Sequence, residues 1–580
     1  MVGYLRVVAL DYDGTLTSDG RRPRPEVLTA LQAARQSGLT VLLVTGRIMA
    51  ELRESFPDVD DFVTLVVAEN GCVLDGPTGT RLLAPPVEAS LCQALLDRHV
   101  EVRRGDVLLA GRADDRQVVI EEIHRLELDC QLVFNRSEMM VLPSGVTKGT
   151  GLFDALGDLG ISRHSAVGVG DAENDHALLD VCEVGAAVSN AVVGLRTTAD
   201  VVLEHPDGRG ILELLQRITR PDPPALHSAR WQVQLGTTLT GAAVSVPSSQ
   251  VNVLVCGISG SGKSYVAGLF AERLIAQGYC VLVVDPEGDH QGLGRLRGVV
   301  VIDAQDGLPA PALVAGLFSQ RFTSVVLDLS LLPMERRHTY LERLTDEVAR
   351  TRAATGLPHW VISDEAHESA TGMHPERGSM GDYPDGRWGS CLVTYRPDLI
   401  EQDQLERTDA VIALGQGGGL NRHVVDLLAG VCGESPERVS QHLGSVGPGS
   451  GFLAVRPYLG VARTFRVGTR VTEHRRHLRK YLQATVRHDR AFHFRDDGDH
   501  VIAVAANLTE LQRVLHDCPD SVLVHHAEGR DLSRWLDGVF GDEDLSMALA
   551  AIEGRLAEGD ISVDEARGLL MSAVRAAYPN

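Results

Sequence analysis

The sequence predicts an α/β protein in three parts: a parallel, doubly wound sheet with a small α/β cap, a second α/β domain, and a small α/β or α-rich C-terminal unit. Near the N-terminus, short apolar runs typical of strands alternate with segments of helical spacing, and polar residues directly follow the strands. Near the middle, a strand-like apolar run leads into a Gly-rich loop and a helix. In such sheets, ligands bind at the carboxyl ends of the strands.

The first elements can be read in order. Residues 6–10 form a short β-branched run and predict a strand. Residues 25–37 carry apolar side chains at helical spacing, and Gly38 provides the stop. Residues 40–44 predict a second strand. Asp11 and Thr45 therefore fall at the carboxyl ends of two strands.

The length of 580 residues suits about three or four domains of roughly 150 residues. We expect a first domain over residues 1–218, a Pro-rich linker over 219–230, a second domain over 231–470 and an accessory module over 471–580. The linker contains Arg220-Pro221-Asp222-Pro223-Pro224, which cannot continue a helix. A basic, helix-like connector over residues 473–480 opens the last module.

Composition narrows the classes of partner and compartment. The formal net charge of -23 repels nucleic-acid phosphates on average, so nucleic acid as a partner is left open. The nine cysteines lack metal-binding spacing and predict reduced thiols. We find neither a signal stretch nor 18 consecutive apolar residues. These features predict a cytoplasmic protein with no membrane partner.

Four motifs follow one another in the first domain. Asp11-Tyr12-Asp13-Gly14-Thr15 follows the first strand, and Thr45-Gly46-Arg47 follows the second. Gly145-Val146-Thr147-Lys148-Gly149 opens a helix, and Gly170-Asp171-Ala172-Glu173-Asn174-Asp175 follows a strand over residues 166–169. This ordered set resembles the haloacid dehalogenase superfamily of phosphatases over about residues 5–215.

The resemblance implies a role for each of these residues. Asp11 would attack phosphorus, and Asp13 would act as general acid and then general base. Oxygen ligands suit Mg²⁺, which Asp11, the carbonyl of Asp13, Asp171 and Asp175 would hold. Thr45, Lys148 and Asn174 would bind the phosphoryl oxygens, although a helix cap is an alternative for Asn174. Arg47 is either functional or a solvated helix residue.

Residues 76–142 resemble the small α/β cap of the branch related to Cof-type sugar phosphatases and archaeal-type phosphoglycolate phosphatases. Ala68-Glu69-Asn70-Gly71, just before the cap, fits that branch. The implied substrate is a small phosphomonoester of the phosphoglycolate or sugar phosphate class.

The Gly-rich loop predicts a site for ATP. Its backbone N–H groups would wrap the phosphates, with Lys263 at the β and γ oxygens and Ser264 on Mg²⁺. The predicted ATP-binding residues are Gly257, Ser259, Gly260, Ser261, Gly262, Lys263, Ser264 and Arg396. After an apolar strand, Asp364 would hold the metal through water and Glu365 would activate the attacking water.

The second domain resembles the HerA-type ATPases, which are ring-forming nucleic-acid or protein translocases, over about residues 230–465. A P-loop NTPase fold of the RecA-like kind and a homo-oligomeric ring are the expectations of this resemblance. A Gln is common in that family where Tyr395 stands here. Arg396 either senses phosphate or pairs with an acid.

Several alternatives stay open at the level of sequence. The chain is a bifunctional phosphatase and ATPase, a translocase or end-processing enzyme with a secondary phosphatase, or a module in which ATP gates the phosphatase. Residues 372–388 form either a loop facing a channel or an ordinary surface excursion. In the last module, His525-His526 follows an apolar run that reads as a strand, and we expect at least one of the two to be structural.

Overall fold

The computed structural model describes most of the chain, and the described residues fall into two compact units. One unit comprises Met1–Pro286 and Leu293–Thr472, and the other comprises Glu287–Gly292 and Glu473–Asn580. The described residues are 3–135, 137–220, 223–258, 260–304, 307–318, 323–367, 388–415, 422–472, 491–496, 498–540 and 543–577.

The first sheet has eight strands, and its first six are parallel. In spatial order, the strands are Val201–Val202, Val184–Ala187, Ala166–Gly170, Val7–Leu10, Thr40–Val44, Leu65–Ala68, Val73–Gly76 and Gly79–Leu82. The helices that accompany it are Pro25–Gln36, Met49–Ser55, Lys148–Leu159, His176–Val181, Val193–Thr198 and Asp207–Ile218. The helix Pro25–Gln36 has Pro25 at its first position, and Gly38 follows its end with a φ of 98°.

A second, antiparallel sheet lies within the segment predicted as a cap. Its strands, in spatial order, are Arg103–Arg104, Leu109–Arg112, Glu138–Pro143 and Cys130–Asn135, with helices Ala89–Asp97 and Arg116–Arg125. The strand Gly79–Leu82, which is inside the predicted cap boundaries, pairs instead with the edge of the first sheet. Val107, Leu108 and Met140 of the cap segment are buried in the same apolar cluster as the core of the first sheet.

The second large sheet has eleven strands, and the strand that precedes the Gly-rich loop is near its centre. In spatial order, the strands are Ala243–Pro247, Gln232–Thr237, Arg463–Val467, Ser450–Val455, Ala410–Leu414, Val253–Gly257, Ser390–Thr394, Trp360–Ser363, Val281–Asp285, Ser324–Asp328 and Val299–Ile302. The accompanying helices are Lys263–Ala276, Pro311–Leu317, Met334–Thr355, Gln402–Glu406, Arg422–Cys432 and Pro436–Gly444. The seven strands from Ala410–Leu414 to Val299–Ile302 are parallel, so the predicted fold class is confirmed.

Over residues 491–577, the described part of the C-terminal unit contains the antiparallel strand pair Phe492–Arg495 with Val501–Ala505, followed by helices. The helices are Leu508–Asp517, Asp520–Gly529, Asp531–Trp535, Glu543–Ala557 and Val563–Ala577. The expectation of a strand before His525 was wrong, because this run belongs to the helix Asp520–Gly529. His526 is buried. Its Nε2 accepts from the backbone N–H of Arg495 at 2.8 Å, and its Nδ1 lies 2.8 Å from Asp531 Oδ2, so His526 has a structural role.

All nine cysteines are free, and six of them are buried. Among the described residues, each helix is too short or too polar to cross a lipid bilayer.

A buried carboxylate joins the helix Lys263–Ala276 to the end of the second domain. Glu272 accepts hydrogen bonds from the backbone N–H groups of Val471 and Thr472 at 2.8 and 2.9 Å, and from Arg470 Nε at 3.1 Å. Burial alone would raise the pKa of Glu272, but the hydrogen bonds from Thr472 and Val471 outweigh it, so this pKa lies below its usual value.

We predict that Glu272→Ala destabilises the second domain by about 3 kcal/mol, because it leaves a buried arginine and two amides without their acceptor. Thermal unfolding measures the loss as a lower Tm. Glu347→Ala removes an exposed ion pair with Arg350 and should cost less than about 1 kcal/mol. If the two substitutions lowered the Tm equally, this would contradict the stabilising role that we assign to Glu272.

The depressed pKa also gives the sign of the pH dependence. Stabilisation by Glu272 is present above the usual glutamate pKa of 4.5 and is lost as the pH falls through the lower folded-state value. The gap in Tm between the wild type and Glu272→Gln should therefore narrow in acid.

Candidate active sites

The motifs of the first domain meet at one edge of its sheet. Asp11 follows the strand Val7–Leu10, and this strand is flanked in parallel by Thr40–Val44 and Ala166–Gly170. Thr45 and Asp171 directly follow these two neighbours. The parallel register brings the three side chains to the same edge, as the sequence predicts.

Lys148 connects two acids in this site. Its Nζ lies 2.6 Å from Asp11 Oδ1 and 2.6 Å from Asp175 Oδ1, and all three side chains are almost fully buried. Lys148 is the first residue of its helix, which begins with Thr147 and Thr150 capping each other's backbone N–H groups. The cap fixes the start of the helix and so holds the ammonium group against the two carboxylates.

Asp171 completes a cluster of carboxylates. One oxygen each of Asp11, Asp171 and Asp175 lies within 4.8 Å of the others. Thr15 Oγ1 donates to Asp171 Oδ1 at 3.1 Å, while Asp175 Oδ2 accepts from the backbone N–H groups of Asp171 and Ala172, both at 2.9 Å. A set of closely spaced oxygen ligands of this kind suits a hard divalent cation such as Mg²⁺.

The charges of the cluster also fit a divalent cation. Burial raises the pKa of Asp11, and repulsion from Asp175 adds to the rise, while Lys148 opposes it. Burial lowers the pKa of Lys148, but attraction to Asp11 and Asp175 outweighs this and raises it. When all three acids are ionised, the three carboxylates and the ammonium together carry two negative charges, which a doubly charged cation would balance.

Asp13 is held by Arg47. The guanidinium donates from Nε and Nη2 to the two oxygens of Asp13, both at 2.6 Å, and from Nη1 to Ser55 Oγ at 2.9 Å. The Tyr12 ring lies below the guanidinium, 4.9 Å from its centre. Arg47 is therefore half-buried within the site, and the alternative of a solvated helix residue was wrong.

Asn174 lies between the core and the cap segment. Its Nδ2 donates to Asn70 Oδ1 at 3.0 Å, and its Oδ1 has no hydrogen-bond donor among the described residues. A side chain on Gly46 would meet Met140 Sδ of the cap at 3.2 Å and Asn174 Nδ2 at 3.5 Å. The described residues therefore leave the amide oxygen of Asn174 open to a donor from a ligand.

Glu69 holds the cap to the core. Its buried carboxylate accepts from the backbone N–H groups of Asp106, Val107 and Leu108 at 2.9 to 3.1 Å. Glu69 and Asn70 adopt φ angles of 53° and 56°, in the left-handed region that non-glycine residues rarely occupy. The contacts of Glu69, Asn70 and Thr15 were not predicted from the sequence, although Ala68-Glu69-Asn70-Gly71 and the first motif contain these residues.

The Gly-rich loop of the second domain links the strand Val253–Gly257 to the helix Lys263–Ala276. Gly260 and Gly262 have φ angles of 77° and 92°, which a side chain would strain. Lys263 Nζ donates to the carbonyl of Ile258 at 3.2 Å and lies 5.7 Å from the centre of the Tyr395 ring. Ser261 Oγ is buried without a hydrogen-bond partner among the described residues. Ser264 is the second residue of the same helix, and Ser259 lies outside the described residues.

The predicted acids Asp364 and Glu365 follow the strand Trp360–Ser363. One strand, Ser390–Thr394, separates it from the strand of the Gly-rich loop, and all three are parallel. Glu365 has a φ of 46° and lies 3.5 Å from His367, whose ring contacts Tyr395 with centroids 4.5 Å apart. Tyr395 thus connects Lys263 to His367.

Arg396 forms an exposed ion pair with Asp398, with distances of 2.8 to 3.2 Å. The structure therefore shows the pairing alternative, and a role in binding ATP stays a prediction. The loop over residues 372–387 and the connector over residues 473–480 lie outside the described residues.

Comparison with known proteins gives two family matches. Residues 8–122 and 107–215 match the haloacid dehalogenase-like hydrolases, and residues 235–372 match the central domain of helicase HerA. Among curated proteins, the chain is 31% identical over 226 residues to a phosphoglycolate phosphatase of Archaeoglobus fulgidus, covering 36% of this chain and 96% of that protein. It is 29% identical over 218 residues to that of Methanothermobacter thermautotrophicus, covering 37% and 98%.

Solved structures also match the first domain. A haloacid dehalogenase-like hydrolase from Bacteroides thetaiotaomicron matches with 18% identity and a TM-score of 0.33, covering 37% of this chain and 99% of that one. One from B. subtilis matches with 20% identity and a TM-score of 0.32, covering 37% and 100%.

The fold and the sites define a modular enzyme, in which a phosphoric monoester hydrolase domain is joined to a P-loop domain. Through residues 8–215, the chain belongs to the haloacid dehalogenase-like hydrolase family. Both resemblances predicted from sequence are confirmed.

We predict that Glu69→Ala lowers kcat/KM for phosphomonoester hydrolysis by at least about ten-fold, because the cap loses three hydrogen bonds to a charged group. Steady-state kinetics checks this. Glu51→Ala is a matched control, because Glu51 also joins the core to the cap, through an exposed ion pair with Arg103. It should change kcat/KM by less than about five-fold. An unchanged Glu69→Ala enzyme would contradict the role of this contact.

Proposed function

We propose that this chain is a bifunctional hydrolase. Its first domain hydrolyses a small phosphomonoester with the help of Mg²⁺ and through an aspartyl-phosphate, and its second domain binds and hydrolyses ATP. The observation that carries the first activity is the buried contact of Lys148 with Asp11 and Asp175, beside Asp171.

In the first half-reaction, a carboxylate oxygen of Asp11 attacks phosphorus, and the bond from phosphorus to the leaving oxygen breaks. Lys148, Thr45 and Asn174 bind the phosphoryl oxygens and offset their charge. Asp13 gives its proton to the leaving oxygen. Because Arg47 donates hydrogen bonds to both carboxylate oxygens of Asp13, substrate binding must loosen this contact before Asp13 can reach the leaving oxygen.

In the second half-reaction, Asp13 takes a proton from water, and the water oxygen attacks phosphorus to release phosphate and Asp11. Asp11, Asp171, Asp175 and the carbonyl of Asp13 would hold Mg²⁺, which would offset the negative charge of the Asp11 carboxylate and of the phosphoryl group. Burial and the neighbouring negative charge raise the pKa of Asp11, whereas Lys148 lowers it and so favours the carboxylate that attacks.

The class of substrate follows from the cap. The cap segment is packed against the core through Glu69 and the buried Met140, and Met140 lies close to Gly46 and Asn174, which supports a small leaving group. Two curated relatives are phosphoglycolate phosphatases. We therefore propose phosphoglycolate or a sugar phosphate as the substrate class.

ATP hydrolysis in the second domain is proposed on the Gly-rich loop and its neighbours. Gly257, Gly260, Gly262 and Ser261 would surround the phosphates, and the buried hydroxyl of Ser261 supports this role. Lys263 would bind the β and γ oxygens, while Ser264 and Asp364 would hold Mg²⁺. Glu365 would activate water.

A nucleic-acid translocase or end-processing enzyme is the second candidate, and the match to the HerA central domain favours it. The net charge of -23 weighs against extended contact with phosphates. A homo-oligomeric ring belongs to this candidate.

We predict that Asp11→Asn lowers phosphate release from phosphoglycolate by at least about a thousand-fold, because the attacking oxygen is lost. Chelation of Mg²⁺ with EDTA should abolish the activity, and added Mg²⁺ should restore it. A colorimetric phosphate assay on a panel of phosphomonoesters checks both. Full activity in EDTA would contradict the proposed metal site.

We predict that Lys263→Ala abolishes ATP hydrolysis and that Glu365→Gln binds ATP without hydrolysing it, since the two residues are assigned to binding and to water activation. Release of ADP and filter binding of labelled ATP separate the two effects. The same assays with added DNA test the second candidate, which predicts stimulation that salt suppresses. ATP hydrolysis by Lys263→Ala at the wild-type rate would contradict the assignment.

A further inference from the structure

The helix that begins at the Gly-rich loop ends against the phosphatase domain. After Lys263–Ala276, the carbonyl of Gln277 accepts from Arg163 Nη2 at 2.8 Å and contacts His164 Nε2 at 3.0 Å. Gly278 follows with a φ of 91°, and a side chain there would meet Arg163 at 3.3 Å. This contact joins the far end of the ATP-site helix to the first domain.

A second helix of the ATPase domain ends in the same way. Met334–Thr355 is followed by Gly356 with a φ of 78°, and its last carbonyls accept from the guanidinium of Arg6. The distances are 3.0 Å from Nη2 to the carbonyl of Arg352, 2.5 Å from Nη2 to that of Ala353 and 2.9 Å from Nη1 to that of Ala354. The chain then enters the strand Trp360–Ser363, and Asp364 directly follows this strand.

These contacts satisfy a known requirement of helix ends. The last carbonyls of a helix lack partners within it and carry partial negative charge, so cationic donors stabilise them. Arg6 and Arg163 supply such donors from the phosphatase domain. Since these bonds involve charged groups, each is stronger than a neutral hydrogen bond.

On the phosphatase side, the same residues begin the strands that carry the active site. Arg6 directly precedes Val7–Leu10, which leads to Asp11, and Arg163 and His164 precede Ala166–Gly170, which leads to Asp171. The two strands are neighbours, with Val7 opposite Ala166. The five-residue strand Ala166–Gly170 spans about 17 Å, which is the distance from the junction to the end of the strand that leads to Asp171. The 14-residue helix Lys263–Ala276 spans about 21 Å, which is the distance from the junction to the Gly-rich loop.

A buried polar network makes this junction rigid. Glu183 of the phosphatase domain contacts His164 Nδ1 and the Tyr279 hydroxyl, both at 2.7 Å, and it also accepts from the Ser249 hydroxyl. The rings of His164 and Tyr279 stack with centroids 3.7 Å apart. Tyr279 and Ser249 belong to the ATPase domain, so the network includes side chains of both domains. A closely packed contact of this kind transmits a displacement rather than absorbing it.

We propose that Arg6, Arg163 and His164 are positioning residues of the phosphatase site, through which the nucleotide state of the Gly-rich loop changes phosphatase turnover. A shift of the helix Lys263–Ala276 on binding ATP moves Gln277 and, with it, the start of the strand that leads to Asp171. The helix Met334–Thr355 acts in the same way on the strand that leads to Asp11. This proposal rests on the proposed function, because it needs both activities.

The coupling should appear in kcat more than in KM, because the strands position the attacking carboxylate and a metal ligand rather than the cap. Typical coupling between two sites changes affinity by about five-fold or more. We therefore expect at least about a five-fold difference in phosphatase kcat with and without a non-hydrolysable ATP analogue.

The experiment uses the full chain and measures phosphoglycolate hydrolysis without nucleotide, with ADP and with the analogue. The wild type should respond, and Lys263→Ala should not. Arg6→Ala and Arg163→Ala should lose most of the response, measured as the ratio of phosphatase kcat with and without the analogue, while Arg163→Lys, which keeps the cation, should retain part of it. Arg81→Ala is the matched control, because Arg81 forms an exposed ion pair with Asp158 within the phosphatase domain. It should respond like the wild type.

The outcomes separate the two proposals. If the wild type shows both activities but nucleotide leaves the phosphatase unchanged, the coupling is wrong and the proposed function stands. If a double variant that carries both Arg6→Ala and Arg163→Ala responds to nucleotide as the wild type does, the contacts of these arginines do not carry the coupling. If these variants lose phosphatase activity relative to the wild type by the same factor with and without nucleotide, the two arginines have a merely structural role, and the proposal is also overturned. Absence of phosphatase activity in the wild type would contradict the proposed function itself.

Discussion

The buried contact of Lys148 with Asp11 and Asp175 is the constraint on which the first domain depends. Charged groups at this depth are stable only when they are paired and hydrogen-bonded. The capped helix fixes Lys148, the backbone N–H groups of the Asp171 segment hold Asp175, and the parallel strands bring the acids to one edge. Gly14 leaves room for Asp171, because a side chain there would lie 2.4 Å from its carboxylate.

Much of this could be predicted from sequence, because the motifs lie directly after strands. The run Thr40–Val44 and the helix from Pro25 have periodic apolar patterns and clear ends, and both were predicted within one residue. His525 and His526 were placed on a strand, since three apolar residues in a row do not distinguish a strand from a helix. The predicted domain boundaries and the roles of the site residues stay predictions.

Contacts between distant segments could not be predicted, because no local pattern encodes them. The buried Glu69 reads as an ordinary glutamate near a turn, yet it accepts three backbone hydrogen bonds from residues almost forty positions away. Likewise, Arg6 resembles a polar residue before a strand, and its acceptors lie near residue 353. The junction of the two domains is therefore a property of the folded chain, and it gives both active sites a common framework.

The most direct test of this interpretation is chemical trapping of the phosphorylated carboxylate. Wild-type enzyme would be quenched during turnover of phosphoglycolate and reduced with borohydride, which converts an acyl phosphate to an alcohol. Mass spectrometry of the peptides then locates the modified side chain. We predict modification at Asp11 that is absent without substrate. Turnover with an unmodified Asp11, or with modification at another carboxylate, would contradict the assignment of Asp11 as the nucleophile.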